Sequence, residues 1–290
     1  MPDTPSPLAL FSTALADLAA AVAPSLVAVD SGRARSSGFA WRKDLIVTAD
    51  EALGEEGEVA IVTAGGERRP AAVVGRDPAT DVALLRVEGA ALPAVSLATE
   101  PVRPGALVLA IGGGGQALLG IVSVAGPAWR SMRGGEIEAR IELDLRLRRP
   151  VEGGLVLDAG GSTFGMVVSG PRRRALVIPA ATIERIASRL ERDRRIPRGY
   201  LGLGLQPVRA AGDGAAGAMI MSLDPAGPGA QAGLHQGDVV VSWDGQKLTD
   251  LAALLAALGP DSVGSRVLVG LRRAGAALDM HLTIGERPAA

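Results

Sequence analysis

Between residues 26 and about 180 the chain runs in short apolar or alternating stretches, each broken by Gly or Pro. Among them are "SLVAVD", "DLIVTA", "EVAIVTA", "AAVVGRD", "DVALLRV", "ALVLAIGG", "LGIVSVAG", "EIEARIELD", "GLVLDAGG", "TFGMVVSG" and "ALVIPA". Many short strands at this spacing predict an all-β barrel or sandwich. The period then changes. In "AATIERIASRLERDRR", Ile183, Ile186 and Leu190 recur on one helical face, and "IPRG" at 196–199 reads as a stop and a linker. Over 200–287 strand-like runs return around one amphipathic helix, "LTDLAALLAALG", striped by Leu251, Leu254, Leu255 and Leu258. At the N-terminus, Leu8, Phe11, Leu15, Leu18 and Val22 also fall at helical spacing. The pattern divides the chain into an N-terminal amphipathic segment (1–25), a β-rich domain (26–195) and a smaller, mostly β domain with one clear helix (198–287).

Length agrees with more than one core, since 290 residues exceed the size at which a single core stops growing. A net charge of −1 gives no reason to expect nucleic acid or an anionic membrane as the main partner. The chain has no cysteine, which excludes disulfides, thiolate catalysis and thiolate-held zinc. The N-terminal apolar run has no Lys or Arg ahead of it and is interrupted by Asp17, so it reads as a poor signal peptide and too broken a spanning helix. No cofactor is expected.

Four segments, read in order, resemble the HtrA (DegP/DegQ-like) trypsin-fold serine proteases. "SSGFAWRKDLIVTADEAL" at 36–53 is similar to the segment ending in the catalytic histidine, and "RDPATDVALLRV" at 76–87 to the aspartate segment. "DLRLRRPVEGGLVLDAGGSTFGMVVS" at 144–169 is similar to the serine segment. "RGYLGLGL" with "SLDPAGPGAQAGLHQGDVVVSWDGQKL" is similar to a PDZ domain. The resemblance implies a trypsin-like double β-barrel with its site between the barrels, then one PDZ domain. It also implies a homotrimer or an assembly with an active relative, and a bacterial periplasm or envelope location. The missing export signal leaves the cytoplasm open as well.

The resemblance also assigns the catalytic positions, and the residues found there are the wrong ones. Glu51 stands at the histidine's place, Asp81 matches the orienting acid and Glu152 stands at the serine's place, bracketed by Asp144 and Gly153–Gly154. The only histidines are His235 and His281, so the whole barrel region lacks imidazole. Pro150 falls where a backbone donor to the oxyanion belongs, and proline has no N–H. Loss of one such donor costs roughly 3–4 kcal/mol of transition-state stabilisation. Ser123, Ser162 and Ser169 have no base available. The expectation is therefore a pseudoprotease with no catalytic residues.

Three carboxylates converging in one cleft suggest two further roles. Glu51, Asp81 and Glu152, with Asp50 beside them, form either a metal-binding module for a hard cation or a solvated acidic pocket. The second is favoured, with Arg146, Arg148 and Arg149 close enough in sequence to neutralise it. "IGGGGQALLG" lacks the context of a nucleotide loop and reads as a drifted substrate-side loop. "PRRRA", from Pro171 on, reads as a solvated charge run that could steer an acidic partner.

The PDZ parts look complete. Such a domain takes an extended C-terminal peptide as an added strand. Tyr200, Leu201, Gly202 and Leu203 are assigned to the carboxylate loop and first pairing strand, and Leu203, Leu205, Leu251, Leu254 and Leu255 to the apolar pocket, although the helix leucines serve equally as core. The leading expectation is a catalytically inactive HtrA-like protein that binds C-terminal or unfolded peptide segments, as scaffold, chaperone-like holder or regulator. The alternative is an active serine endopeptidase with a divergent site.

Overall fold

The computed structural model describes residues 6–32, 35–54, 58–131, 133–209 and 216–288. The chain divides into two compact units, 1–196 and 197–290.

The first unit holds two closed six-stranded antiparallel barrels. Barrel 1 is built from β1 (Leu26–Asp30), β2 (Arg35–Arg42), β3 (Leu45–Thr48), β4 (Val59–Thr63), β5 (Arg68–Asp77) and β6 (Val82–Arg86). Barrel 2 begins with β7 (Leu107–Ile111) and β8 (Ala117–Gly126). A small hairpin of β9 (Trp129–Arg130) and β10 (Glu136–Ile137) then leads to β11 (Arg140–Asp144), β12 (Leu155–Asp158), β13 (Thr163–Ser169) and β14 (Ala175–Pro179). Both strand orders are closed, so no sheet edge of either barrel is left unpaired.

The unbroken apolar runs follow from how these strands are buried. In β3, Ile46 packs in the barrel 1 interior with Val27, Val29, Ile61 and Leu85. Its neighbours Leu45 and Val47 point the other way, into a second core with Phe39 and Trp41. In β12, Val156 fills the barrel 2 interior while Leu155 and Leu157 join that same second core. Adjacent side chains leave opposite faces of a strand, so a strand with core on both sides reads apolar throughout.

Helix α2 (Ala180–Asp193) lies on this shared core. Its Ile183, Ile186 and Leu190 are fully buried there, beside Val82 and Leu84 of barrel 1 and Met166 and Ile178 of barrel 2. Helix α1 (Pro7–Val22) is capped by Ser6, whose hydroxyl accepts from the Ala9 N–H. Leu18, Ala19 and Val22 pack against the shared core, but Leu8, Leu10 and Phe11 are exposed, so only the second half of the expected stripe faces the barrels. By length and composition Pro7–Ser25, with Asp17 inside it, is apolar enough to cross a membrane, a property it shares with signal sequences and with core helices of soluble proteins.

The second unit is a sheet in the order β16-β17-β18-β20-β21, with β19 added to β18. It opens with β15 (Gly199–Tyr200) and continues with β16 (Leu203–Arg209), β17 (Ala216–Leu223), helix α3 (Pro228–Gln231), β18 (Val239–Trp243) and β19 (Gln246–Lys247). Helix α4 (Leu251–Ala257), β20 (Arg266–Arg273), β21 (Ala276–Thr283) and β22 (Gly285–Glu286) complete it. β15 pairs β22 and so closes the ends of the unit together. The Asp250 carboxylate accepts from the Ala253 N–H at 2.7 Å and starts α4.

Candidate functional site

The acidic positions of the first unit are brought together by three loops. The first follows β3 and carries Asp50 and Glu51. The second, between β5 and β6, turns on Asp77, which accepts from the Thr80 hydroxyl at 2.7 Å and the Ala79 N–H at 3.3 Å, and delivers Asp81 in a left-handed conformation (φ 57°). The third is a 3-10 turn over Arg149–Val151 that ends at Glu152.

Glu51, Asp81 and Glu152 do converge. The Glu51 N–H donates to Asp81 Oδ1 at 2.7 Å, and the charges of Glu51, Asp50 and Glu152 all act on the Asp81 carboxyl. Desolvation is the main force on that group. It outweighs the Glu51 N–H, and with the neighbouring carboxylates it pushes the Asp81 pKa up to about 8.

The neutralising arginines differ from those expected. Arg76 grips Asp50, its Nε 2.5 Å from Oδ1 and its Nη2 donating to the Asp50 carbonyl at 3.1 Å. Arg133, at the tip of the β9–β10 hairpin, lies 3.4 Å from Glu51. That hairpin is fixed by the Ser131 hydroxyl, which donates to the Ala79 carbonyl at 2.5 Å. Arg146, Arg148 and Arg149 form no ion pair at all among the described residues.

Glu152 is only 6% exposed, and its Oε1 accepts the Ser169 N–H at 3.0 Å. Glu152 is thus held by a backbone donor, while Glu51 lies near Arg133. Among the described residues no group of three or more His, Asp or Glu side chains is placed to hold a metal ion.

The backbone around Glu152 is closed on itself. Pro150 has no N–H; those of Val151 and Glu152 donate to the carbonyls of Arg148 (2.8 Å) and Arg149 (3.1 Å). Those of Gly153 and Gly154 donate to Val167 (2.8 Å) and Val151 (2.9 Å). No free donor is presented from 150 to 154. An oxyanion needs such donors aimed at it.

Sequence reading overlooked Ser37. Its hydroxyl donates to the Pro150 carbonyl at 2.5 Å and accepts the Gly113 N–H at 2.9 Å, joining β2 of barrel 1 to two loops of barrel 2. Gly153 (φ 82°) lies so close that a Cβ there would collide with the Ser37 carbonyl. A Cβ at Gly113 would fall on the backbone of Val27. Gly112 and Gly113 of the "GGGG" run therefore mark a seam where the two barrels approach closely.

In the second unit β16 is an edge strand of the sheet, with helix α4 against it. Gly202 adopts φ 72°, and its carbonyl accepts the Asp224 N–H at 2.8 Å. The Tyr200 hydroxyl donates to Asp224 Oδ2 at 2.9 Å, which raises its pKa. Leu203, Leu205 and Leu251 are half-buried beside the core, whereas Leu201 and Leu254 lie inside it and Leu255 is 49% exposed. Leu201 and Leu254 thus serve as core, a role the pocket assignment had left open for the helix leucines.

Residues 36–166 match the trypsin-like peptidase domain and residues 199–284 the PDZ domain. The two matches lie side by side along the chain and correspond to its two compact units. A probable periplasmic serine endoprotease, DegP-like, of Rhizobium meliloti is 31% identical over 278 residues, covering 88% of this chain and 54% of that protein. One of the same description from Chlamydia pneumoniae is 26% identical over 270 residues, covering 88% and 55%. The chain spans about half the length of these relatives. Among solved structures, the serine endoprotease from Yersinia pestis superposes with a TM-score of 0.77 at 24% identity, covering 99% of this chain and all of the other. The HtrA-type protease AlgW with a decapeptide gives 0.77 at 21% identity, covering 95% and 99%.

Proposed function

We propose that this HtrA-like chain is catalytically silent and works by binding peptides, as a scaffold, holder or regulator. The observation that carries the first half is the closed backbone of 150–154, where every N–H that exists is already donated to a protein carbonyl. The lack of any histidine before position 235 supports the same reading, because acyl transfer needs a base within reach of its nucleophile. The Ser37 hydroxyl, on the strand whose N–H donates to the Glu152 carbonyl, has its proton directed at the Pro150 carbonyl.

Support for peptide binding comes from the second unit. The edge of β16 is unpaired on its outer side, α4 stands beside it, and Leu203, Leu205, Leu251 and Leu255 give apolar surface between them. An extended chain adds to such an edge by main-chain hydrogen bonds while its side chains fill the groove. The decapeptide in the AlgW structure is in keeping with that mode.

Relatives described as serine endoproteases favour a second reading, an active endopeptidase with a divergent site. Casein digestion separates the two. Neither the wild type nor Glu152→Ser should cleave, because the variant still lacks base and oxyanion donor. Wild-type cleavage blocked by fluorophosphonate would establish the endopeptidase instead.

A further inference from the structure

Arg146, Arg148, Arg149, Arg172 and Arg173 are all exposed, and among the described residues no carboxylate pairs with any of them. They sit on two loops that the fold brings together. β11 and β14 are neighbours with Leu143 opposite Ala175, so the segment leaving β11 and the segment entering β14 emerge side by side. Glu152 ties them again. It directly follows the turn that begins at Arg149, and its carboxylate holds the N–H of Ser169, from which the second loop departs.

The loops are built to project charge. In "LRLRR", Leu145 and Leu147 pack into the barrel 2 core, which turns Arg146 and Arg148 outward. Arg172 and Arg173 both adopt left-handed conformations (φ 59° and 60°), an unfavourable choice for side chains of this type. The adjoining Glu142 does not cancel the patch. Its carboxyl is held well below the usual carboxylate range by hydrogen bonds from Arg140 and then Arg174. Asp144 is the one exposed carboxylate along 144–149 and 170–174.

We propose that these two arginine-bearing loops form a docking surface for an acidic polypeptide segment beside Glu152. Guanidinium groups match carboxylates in a bidentate fork, and unpaired ones are already free to do so. Two features favour a polypeptide over other anions. Neither loop carries an aromatic ring on which a base could stack, as single-stranded nucleic acid binders use. Both leucines point inward, so no apolar wedge is offered to a lipid surface.

A fluorescein-labelled peptide of alternating Glu and Ser, amidated at its C-terminus to avoid carboxylate capture by the PDZ unit, tests the surface by anisotropy with the full chain. Binding should weaken steeply with added salt. It should fall on the order of tenfold in each of Arg146→Ser/Arg148→Ser and Arg172→Asn/Arg173→Asn. The second pair is safe for the fold, because Asn tolerates the left-handed conformation. Lys43→Ser/Arg103→Ser, with the same change in net charge elsewhere on the surface, should bind as wild type. Unchanged affinity in both loop variants would overturn the proposal, as would an equal loss in the control. So would a clear preference of the wild type for phosphatidylserine vesicles or a single-stranded oligonucleotide over the peptide.

Discussion

Burial desolvates the Asp81 carboxyl, a single backbone N–H from Glu51 offsets this only in part, and the charges of Glu51, Asp50 and Glu152 add to it, so the group is proton-binding near neutrality. Its folded pKa, about 8, lies above the ordinary value of 3.8. The folded state therefore holds a proton that the unfolded state releases between those two limits, and stability contributed by this group falls as pH rises through the window. Urea denaturation of Asp81→Asn should show a flatter pH dependence between about pH 4 and 8 than the wild type. Asn keeps the left-handed backbone and the acceptor for the Glu51 N–H, so the fold is spared. An unchanged slope would mean that Asp81 is ionised in the folded protein. The same neighbourhood shows what residue types reveal and what they hide. Glu51, Asp81 and Glu152 were readable because they stand in recognisable segments. Their counter-charges were not, since Arg76 and Arg133 reach them from strands and hairpins that only the closed barrel brings near.

At the scale of elements, apolar runs predicted most barrel strands because those strands have core on both faces. β2 escaped that reading. "RSSGFAWR" is buried from Ser36 to Trp41, but its first half is small and polar where it meets the seam with barrel 2. The stripe of α4 was equally readable, yet spacing alone did not say which leucine is core. Leu254 is 1% exposed and Leu255 49% exposed. Leu254→Ala should cost the second unit about 2–5 kcal/mol, read as a lower urea midpoint. Leu255→Ala should leave that midpoint within about 0.5 kcal/mol and weaken binding of peptides with an apolar, free C-terminus. A Leu255→Ala protein that binds such peptides as tightly as the wild type would remove α4 from the groove.

On the scale of the whole molecule, the first unit's largest core belongs to neither barrel alone. It is shared between them and roofed by Ile183, Ile186 and Leu190 of α2. A chain ending at residue 179 should therefore expose this surface, bind hydrophobic dyes and aggregate, whereas one ending at 196 should melt cooperatively. Equal cooperativity of the two in calorimetry would show that the roof is dispensable.

That roof also orders events at the ribosome. Both barrels can close their strands as they emerge, but their common face stays wet until the last helix of the unit has left the exit tunnel. By then the following unit is already being synthesised, so the nascent chain passes through a stage in which its most adhesive surface is open to trigger-type chaperones. The time spent there is set by translation of the stretch up to Leu190, which makes rare codons in that stretch a direct handle on yield.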